Sequence, residues 1–246
     1  LTSKSDKAAR TADVVGIGAV AIAGPSASAT VSVRPNFALN HLRAAMRAAR
    51  SAYEVEQNNV AAEFGPWFED MLMLVPVSIV MAGAALEANA NEIVQNILDG
   101  STGLSVTEAR KQLVIDLKED RSGNSMDKYR RLALLFDKVP SKGEAAWQSA
   151  ELLVKFRNAL MHFKPAWDHE KDVHDGKLAT ALRNKIPTHP AYQTSFQFPH
   201  GYMTYGCARW SVLGVLAFSK AFSALLGVND SLGKWQLSSE LPTPVS

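Results

Sequence analysis

Arg157, Asn158 and His162 stand close together near the end of an apolar stretch, Leu152-Leu153-Val154-Lys155-Phe156-Arg157-Asn158-Ala159-Leu160-Met161-His162-Phe163-Lys164-Pro165. Their types suit phosphodiester cleavage. An imidazole moves a proton near neutral pH. A guanidinium keeps its charge and offers paired donors to a phosphate that gains negative charge. A carboxamide orients either group without adding charge. The 2′-hydroxyl of RNA supplies an internal nucleophile, so a cut of this kind requires no metal. The same residue types at a helix C-terminus also satisfy last-turn carbonyls and complement the helix dipole, which leaves a purely structural role open.

Spacing sets a geometric condition. Residues four apart on a helix are about 40° apart around its axis, and residues five apart are about 140° apart. Asn158 and His162 therefore share a face, and Arg157 does not. One cleft can receive all three only if it wraps the helix end or if the last turn loosens before Pro165. Arg157 also lies on the Leu153–Leu160 stripe, which carries it toward the interior or an interface.

The elements that must position these residues read as helices. Asn36 caps a helix with Leu39, Leu42, Met46, Ala49 and Tyr53 on one face. Gly65-Pro66 punctuates, and a second helix spans Trp67–Leu98, stopped by Asp99-Gly100-Ser101. Further helices are expected over Ser105–Asp120, Met126–Lys138 and Lys142–Phe163, with Pro165 closing the last. Trp167–Pro199 reads as a polar loop holding one short helix near Lys177–Asn184. Tyr202–Val228 is the final helix, and Asn229–Ser246 reads as a tail. No internal repeat, GxGxxG, P-loop or CxxC occurs. The expected fold is all-α, a helical bundle over residues 36–228 behind a short β-rich N-terminal arm over residues 1–35.

That arm has the outline of a signal peptide, with Lys4, Lys7 and Arg10 ahead of the apolar run Val14–Ala23. Gly16, Gly18 and the flanking Asp13 disfavour that outline, and Thr30-Val31-Ser32-Val33 alternates as a strand does, so a strand pair is expected. Met71–Leu86 is the most apolar stretch, yet it is shorter than a bilayer span and is bracketed by Glu69, Asp70 and Glu87. No transmembrane span is expected.

Composition narrows the classes further. The 246 residues carry 26 Lys+Arg and 24 Asp+Glu, a formal charge of +2 that excludes a uniformly basic nucleic-acid coat. The balance hides opposed segments. Arg34–Asp99 holds 4 basic and 8 acidic residues, whereas Ser105–Lys164, which contains the motif, holds 12 basic and 8 acidic. A local basic groove remains compatible with that distribution. The single cysteine, Cys207, excludes an intramolecular disulfide framework and a Cys-rich zinc module and fits a reducing cytoplasm.

Arg-Asn-x-x-x-His at the end of an apolar helix resembles the Arg-x4–6-His signature of HEPN domains. Ala85-Leu86-Glu87-Ala88-Asn89-Ala90-Asn91-Glu92 resembles the Ala-Leu-Glu-Ala-x-x-Asn-Glu helix of HEPN-like bacterial proteins. Similarity extends through Lys128-Tyr129, Phe163-Lys164-Pro165-Ala166-Trp167 and Tyr205-Gly206-Cys207-Ala208-Arg209-Trp210, covering roughly Asn36–Val228. The resemblance implies an α-helical bundle and an endoribonuclease of toxin–antitoxin, phage-defence or RNA-processing systems. In it Arg157 and His162 map to the catalytic pair and Asn158 to the frequent third polar residue. It further implies a homodimer whose two motifs face one composite cleft, no cofactor, an RNA substrate cut to a 2′,3′-cyclic phosphate, and an antitoxin or partner protein. Glu87 and Asn91 share one helical face, from which they can orient Arg157 or His162 or instead form a buried polar pair tying two core helices. Many members have lost RNase activity and keep the bundle for binding or dimerisation, and this chain has no partner nucleotidyltransferase motif.

Other clusters are expected to be structural. Asp168-His169-Glu170, Asp172 and His174-Asp175 match no compact metal signature and read as a solvated loop. His41, His189 and His200 lack a partner pattern. Cys207 reads as a small buried hydrophobe, and Trp147, Trp167 and Trp210 as core or interface anchors.

Overall fold

A computed structural model of the protein describes residues 17–22, 30–60, 62, 65–120, 124–141, 143–165, 167, 176–186, 198–235 and 237–243. The chain is predominantly helical. Seven α-helices are present among the described residues: α1 Phe37–Asn58, α2 Trp67–Leu98, α3 Glu108–Glu119, α4 Ser125–Leu135, α5 Ala145–Met161, α6 Lys177–Arg183 and α7 Tyr205–Leu226. Ahead of them, β1 Ile17–Ile22 pairs antiparallel with β2 Thr30–Pro35, Ile17 opposite Pro35 and Ile22 opposite Thr30.

Helix ends follow local chemistry. Asn36 accepts from the Leu39 amide at the start of α1, as its capping chemistry predicts. Thr107, Asn124 and Thr204 do the same for α3, α4 and α7. Gly227, at φ 74°, closes α7 in the left-handed conformation that glycine adopts without strain. Two helices start later than hydropathy alone predicts. α3 begins after Thr107 rather than at Ser105, and α5 begins at Ala145 rather than at Lys142.

α2 is the central element. α1 runs antiparallel to it, since Ala38 at the start of α1 donates to Glu92 late in α2 at 3.0 Å. α7 runs parallel to it, with Ser78 of α2 bonded to the Ala208 carbonyl at 3.4 Å and Asn89 accepting from Ser231 beyond the end of α7 at 3.2 Å. α2 and α7 are long and apolar enough to cross a membrane by length and composition alone, with mean hydropathies of 2.0 and 1.2 over their most apolar windows. About half of each window (44% and 50%) is buried within the protein, and a central core helix meets the same criteria.

An aromatic cluster locks α4 and α5 onto α7. Tyr129 meets Phe218 and Phe222 edge-on, both at 4.7 Å between centroids, and Trp147 meets Phe218 at 5.3 Å. Tyr129 is fully buried, and its phenol is satisfied twice. It donates to the Leu86 carbonyl at 2.9 Å and accepts from Asn89 Nδ2 at 3.0 Å. Burial pushes that phenol's pKa well above its ordinary range. Tyr129→Phe removes one partner from each of two buried polar groups. It is expected to cost about 1–3 kcal/mol in urea unfolding with little change in m-value.

The stretch read from sequence as a tail is packed. Leu232 and Leu241 are buried, Arg50 donates to Glu240 at 2.6 Å, and the Tyr205 hydroxyl donates to the Pro242 carbonyl. Its polar composition hid three apolar anchors, since Trp235 also packs on the core with Arg43 over its ring. Of the three tryptophans expected as core or interface anchors, Trp147 is buried, Trp210 half-buried and Trp167 73% exposed.

Glu56 ties the end of α1 to the start of α7 by accepting from the Tyr205 amide at 2.8 Å. Burial raises its pKa above the ordinary 4.5, and the Tyr205 bond only partly offsets this. A carboxyl raised in the folded state stabilises most below its unfolded pKa, and that contribution is lost as pH rises through the folded value. Wild type is therefore expected to lose more stability than Glu56→Gln as pH rises from 4.5 through the raised value, in paired denaturant titrations.

Candidate functional site

α2 and α5 cross antiparallel, and the crossing is built around one glycine. A Cβ placed on Gly83 would lie 3.0 Å from Arg157 Cγ and 3.3 Å from its Cβ. The aliphatic stem of Arg157 thus lies directly on the α2 backbone, where any side chain at position 83 would lift it. Arg157 is about two-thirds buried, as its place on the apolar stripe predicts, and its buried Nε has no hydrogen-bond partner among the described residues.

The guanidinium emerges beside two polar groups. Nη1 donates to Asn158 Oδ1 at 3.1 Å, and Nη2 lies 3.9 Å from Glu87 Oε2. Glu87 is 60% exposed, so this ion pair is long and solvent-screened, contributes about 0–1 kcal/mol, and leaves the guanidinium available to a better-placed anion.

His162 caps α5. Its backbone N–H donates to the Asn158 carbonyl at 3.0 Å and closes the last turn, and α5 ends at Met161, with His162 at φ −116° and ψ 33°, rather than running on to Phe163. Arg157 and His162 consequently keep their wide angular separation. What joins them is Asn158. By helical spacing it shares the His162 face, and its Oδ1 takes a hydrogen bond from the Arg157 guanidinium. Both Asn158 and His162 are exposed, as are the neighbouring Met161 and Phe163.

Glu87 and Asn91 are both exposed rather than a buried pair. Glu87 approaches Arg157, one of the two roles its spacing allowed. Asn91 accepts from Lys128 Nζ of α4 at 2.8 Å. It belongs to an adjoining groove of about 590 Å³ lined by Glu87, Asn91, Gln95, Lys118, Asp120, Ser125 and Lys128.

Sequence reasoning missed Gly83 and the two lysines. Gly83 sits in the small-residue run Ala82-Gly83-Ala84-Ala85, which signals close helix approach without naming the partner. Lys118 and Lys128 come from different helices, and no spacing rule joins them. Gln95 was reachable by extending the Glu87–Asn91 face one more turn.

The remaining candidates stay outside this site. Cys207 is fully buried, and burial raises its thiol pKa far above the range where a thiolate forms. His41 packs against Phe37 at 5.8 Å and His200 against Phe68 at 6.2 Å. His189 and the acidic cluster from Asp168 to Asp175 lie outside the described residues. No group of three or more His, Cys, Asp or Glu arranged to hold a metal occurs among the described residues. Set against known protein families, curated proteins and solved structures, the chain matches none of them.

Proposed function

We propose that this protein is a HEPN-type endoribonuclease that cleaves RNA without a metal, through a composite site formed by two copies of the chain in the cytoplasm. The observation that carries the reading is the Arg157–Asn158 hydrogen bond, which fixes a permanently charged, paired donor to the residue one helical turn before His162. In the reaction, an imidazole takes the proton of a 2′-hydroxyl as its oxygen bonds to phosphorus. The P–O5′ bond breaks, and a second imidazole, the partner copy's His162, delivers a proton to the leaving oxygen. Arg157 stabilises the charge that builds on the non-bridging oxygens, and Asn158 holds the guanidinium in place.

A dimer supplies two imidazoles, one as base and one as acid, where the described residues of a single chain offer one at this site. The exposed apolar side chains Met161 and Phe163 flank His162 and give the helix end a surface that a second copy can cover. A toxin or phage-defence role follows from the same reading. Cleavage of mixed RNAs by wild type beside His162→Ala tests it.

That apolar rim also favours a second reading, a non-catalytic HEPN-like module that binds or dimerises through the α5 end. A protein that self-associates through this face but leaves RNA intact fits the second reading and contradicts the first.

A further inference from the structure

The groove beside the motif has features that neither the motif nor the resemblance requires. It is walled by α2, with Glu87, Asn91 and Gln95 one turn apart, and closed by Lys118 at the end of α3 and by Ser125 and Lys128 at the start of α4. Its volume of about 590 Å³ lies in the range of clefts that take small ligands. Among the described residues neither Lys118 nor Lys128 is in an ion pair, whereas Asp120, the groove's acidic member besides Glu87, is neutralised by Arg131. Lys128 donates one proton to Asn91 Oδ1, which fixes its ammonium in the groove and leaves its other donors free. Asn91 Nδ2, the Gln95 Oε1 (its Nε2 donates to Asp99 at 2.7 Å) and the Ser125 hydroxyl supply both donors and acceptors, as a base edge requires. Glu87 lines the groove and also approaches Arg157, so the groove opens directly beside the proposed site.

Resting on the endoribonuclease reading, we infer that this groove holds a single-stranded RNA nucleotide flanking the cut, with Lys118 and Lys128 on its phosphates and Asn91, Gln95 and Ser125 along its base. An acidic peptide offers carboxylates to the lysines, and its competition with RNA is one of the outcomes measured below. A nucleotide satisfies both sets of groups. Duplex RNA presents its phosphates on a rigid helix and keeps its bases paired, so the ligand is a single strand with its bases splayed.

The test separates this inference from the reading beneath it. Binding of a fluorescent single-stranded RNA octamer is measured by anisotropy on the full chain carrying His162→Ala, and cleavage is measured on wild type. Adding Lys118→Ala and Lys128→Ala to the His162→Ala chain is expected to weaken octamer binding roughly tenfold. It should also lower the slope of log Kd against log salt by about 1.4, the loss of two single-strand phosphate contacts. Lys118→Arg with Lys128→Arg should restore the slope, which excludes a folding defect as the cause. Unchanged affinity and slope, no octamer binding at all, or equal displacement of the octamer by polyglutamate at matched charge overturns the groove assignment. Lysine-dependent binding without any cleavage by wild type upholds the groove as an RNA site and overturns the endoribonuclease reading alone.

Discussion

Replacing His162 with Ala is expected to lower RNA cleavage by about 10²–10⁴-fold, the usual weight of a positioned proton-transfer group. Folding should be untouched. His162 is exposed at the C-cap of α5, and its imidazole makes no hydrogen bond or ion pair among the described residues. The hydrogen bond from its backbone N–H to the Asn158 carbonyl is kept by Ala. A surface change of this kind shifts stability by about 0.5 kcal/mol or less. Thermal unfolding measured beside the cleavage assay therefore separates chemistry from structure. A variant that cleaves as well as wild type removes His162 from the reaction, and one that unfolds early assigns it a capping role instead.

The second large effect centres on Arg157. Arg157→Ala is expected to cost about 10²–10³-fold in kcat, as removal of one preorganised charge donor does in comparable sites. Arg157→Lys should recover little of this, because an ammonium cannot both hold Asn158 and present paired donors to phosphate. Gly83 extends the prediction to a residue that touches no substrate. Its Cα supports the Arg157 stem, and a methyl there would stand 3.0 Å from Cγ. Gly83→Ala should lower kcat about tenfold by displacing the guanidinium from Asn158, a shift of the kind that misplaced catalytic groups produce. The diagnostic is the double variant. If Gly83 acts through Arg157, Gly83→Ala adds no further loss of kcat to an Arg157→Ala background, and independent losses would multiply. A full additional tenfold loss in the double variant would assign Gly83 to general packing.

Much of this architecture was legible in the residues because it rests on local rules. Asn36 announced the start of α1 by its capping chemistry, and Gly65-Pro66 with Asp99-Gly100 bracketed α2 at the ends it adopts. The proximity of Asn158 and His162 followed from helical periodicity. What local rules do not carry is which surfaces meet. The contact of Arg157 with Gly83 joins two helices far apart in sequence, and the groove lysines converge only because α3 and α4 both pack on α2. Trp167 reads as a core or interface anchor by type alone, and its place beyond the end of α5, on the surface, takes it out of the core. Residues 229–243 read as a tail because their apolar residues lack periodicity, and Leu232, Trp235 and Leu241 are placed singly against α1 and α7 rather than along one face.

The geometry also changes how the motif is understood. Spacing alone separates Arg157 from His162 and calls for a loosened helix end. The helix ends at Met161 with the His162 N–H still bonded to the Asn158 carbonyl, and Asn158 holds the guanidinium from the neighbouring position, so under the proposed reading the three residues act together. Asn158→Ala should therefore resemble a weakened Arg157 variant.

The most direct measurement incubates purified wild-type protein with mixed single-stranded RNAs in EDTA and identifies the chemical ends of any fragments. The endoribonuclease reading predicts cuts bearing 2′,3′-cyclic phosphate ends, lost in His162→Ala. RNA left intact both with and without EDTA, or cut only when a divalent metal is supplied, would contradict it.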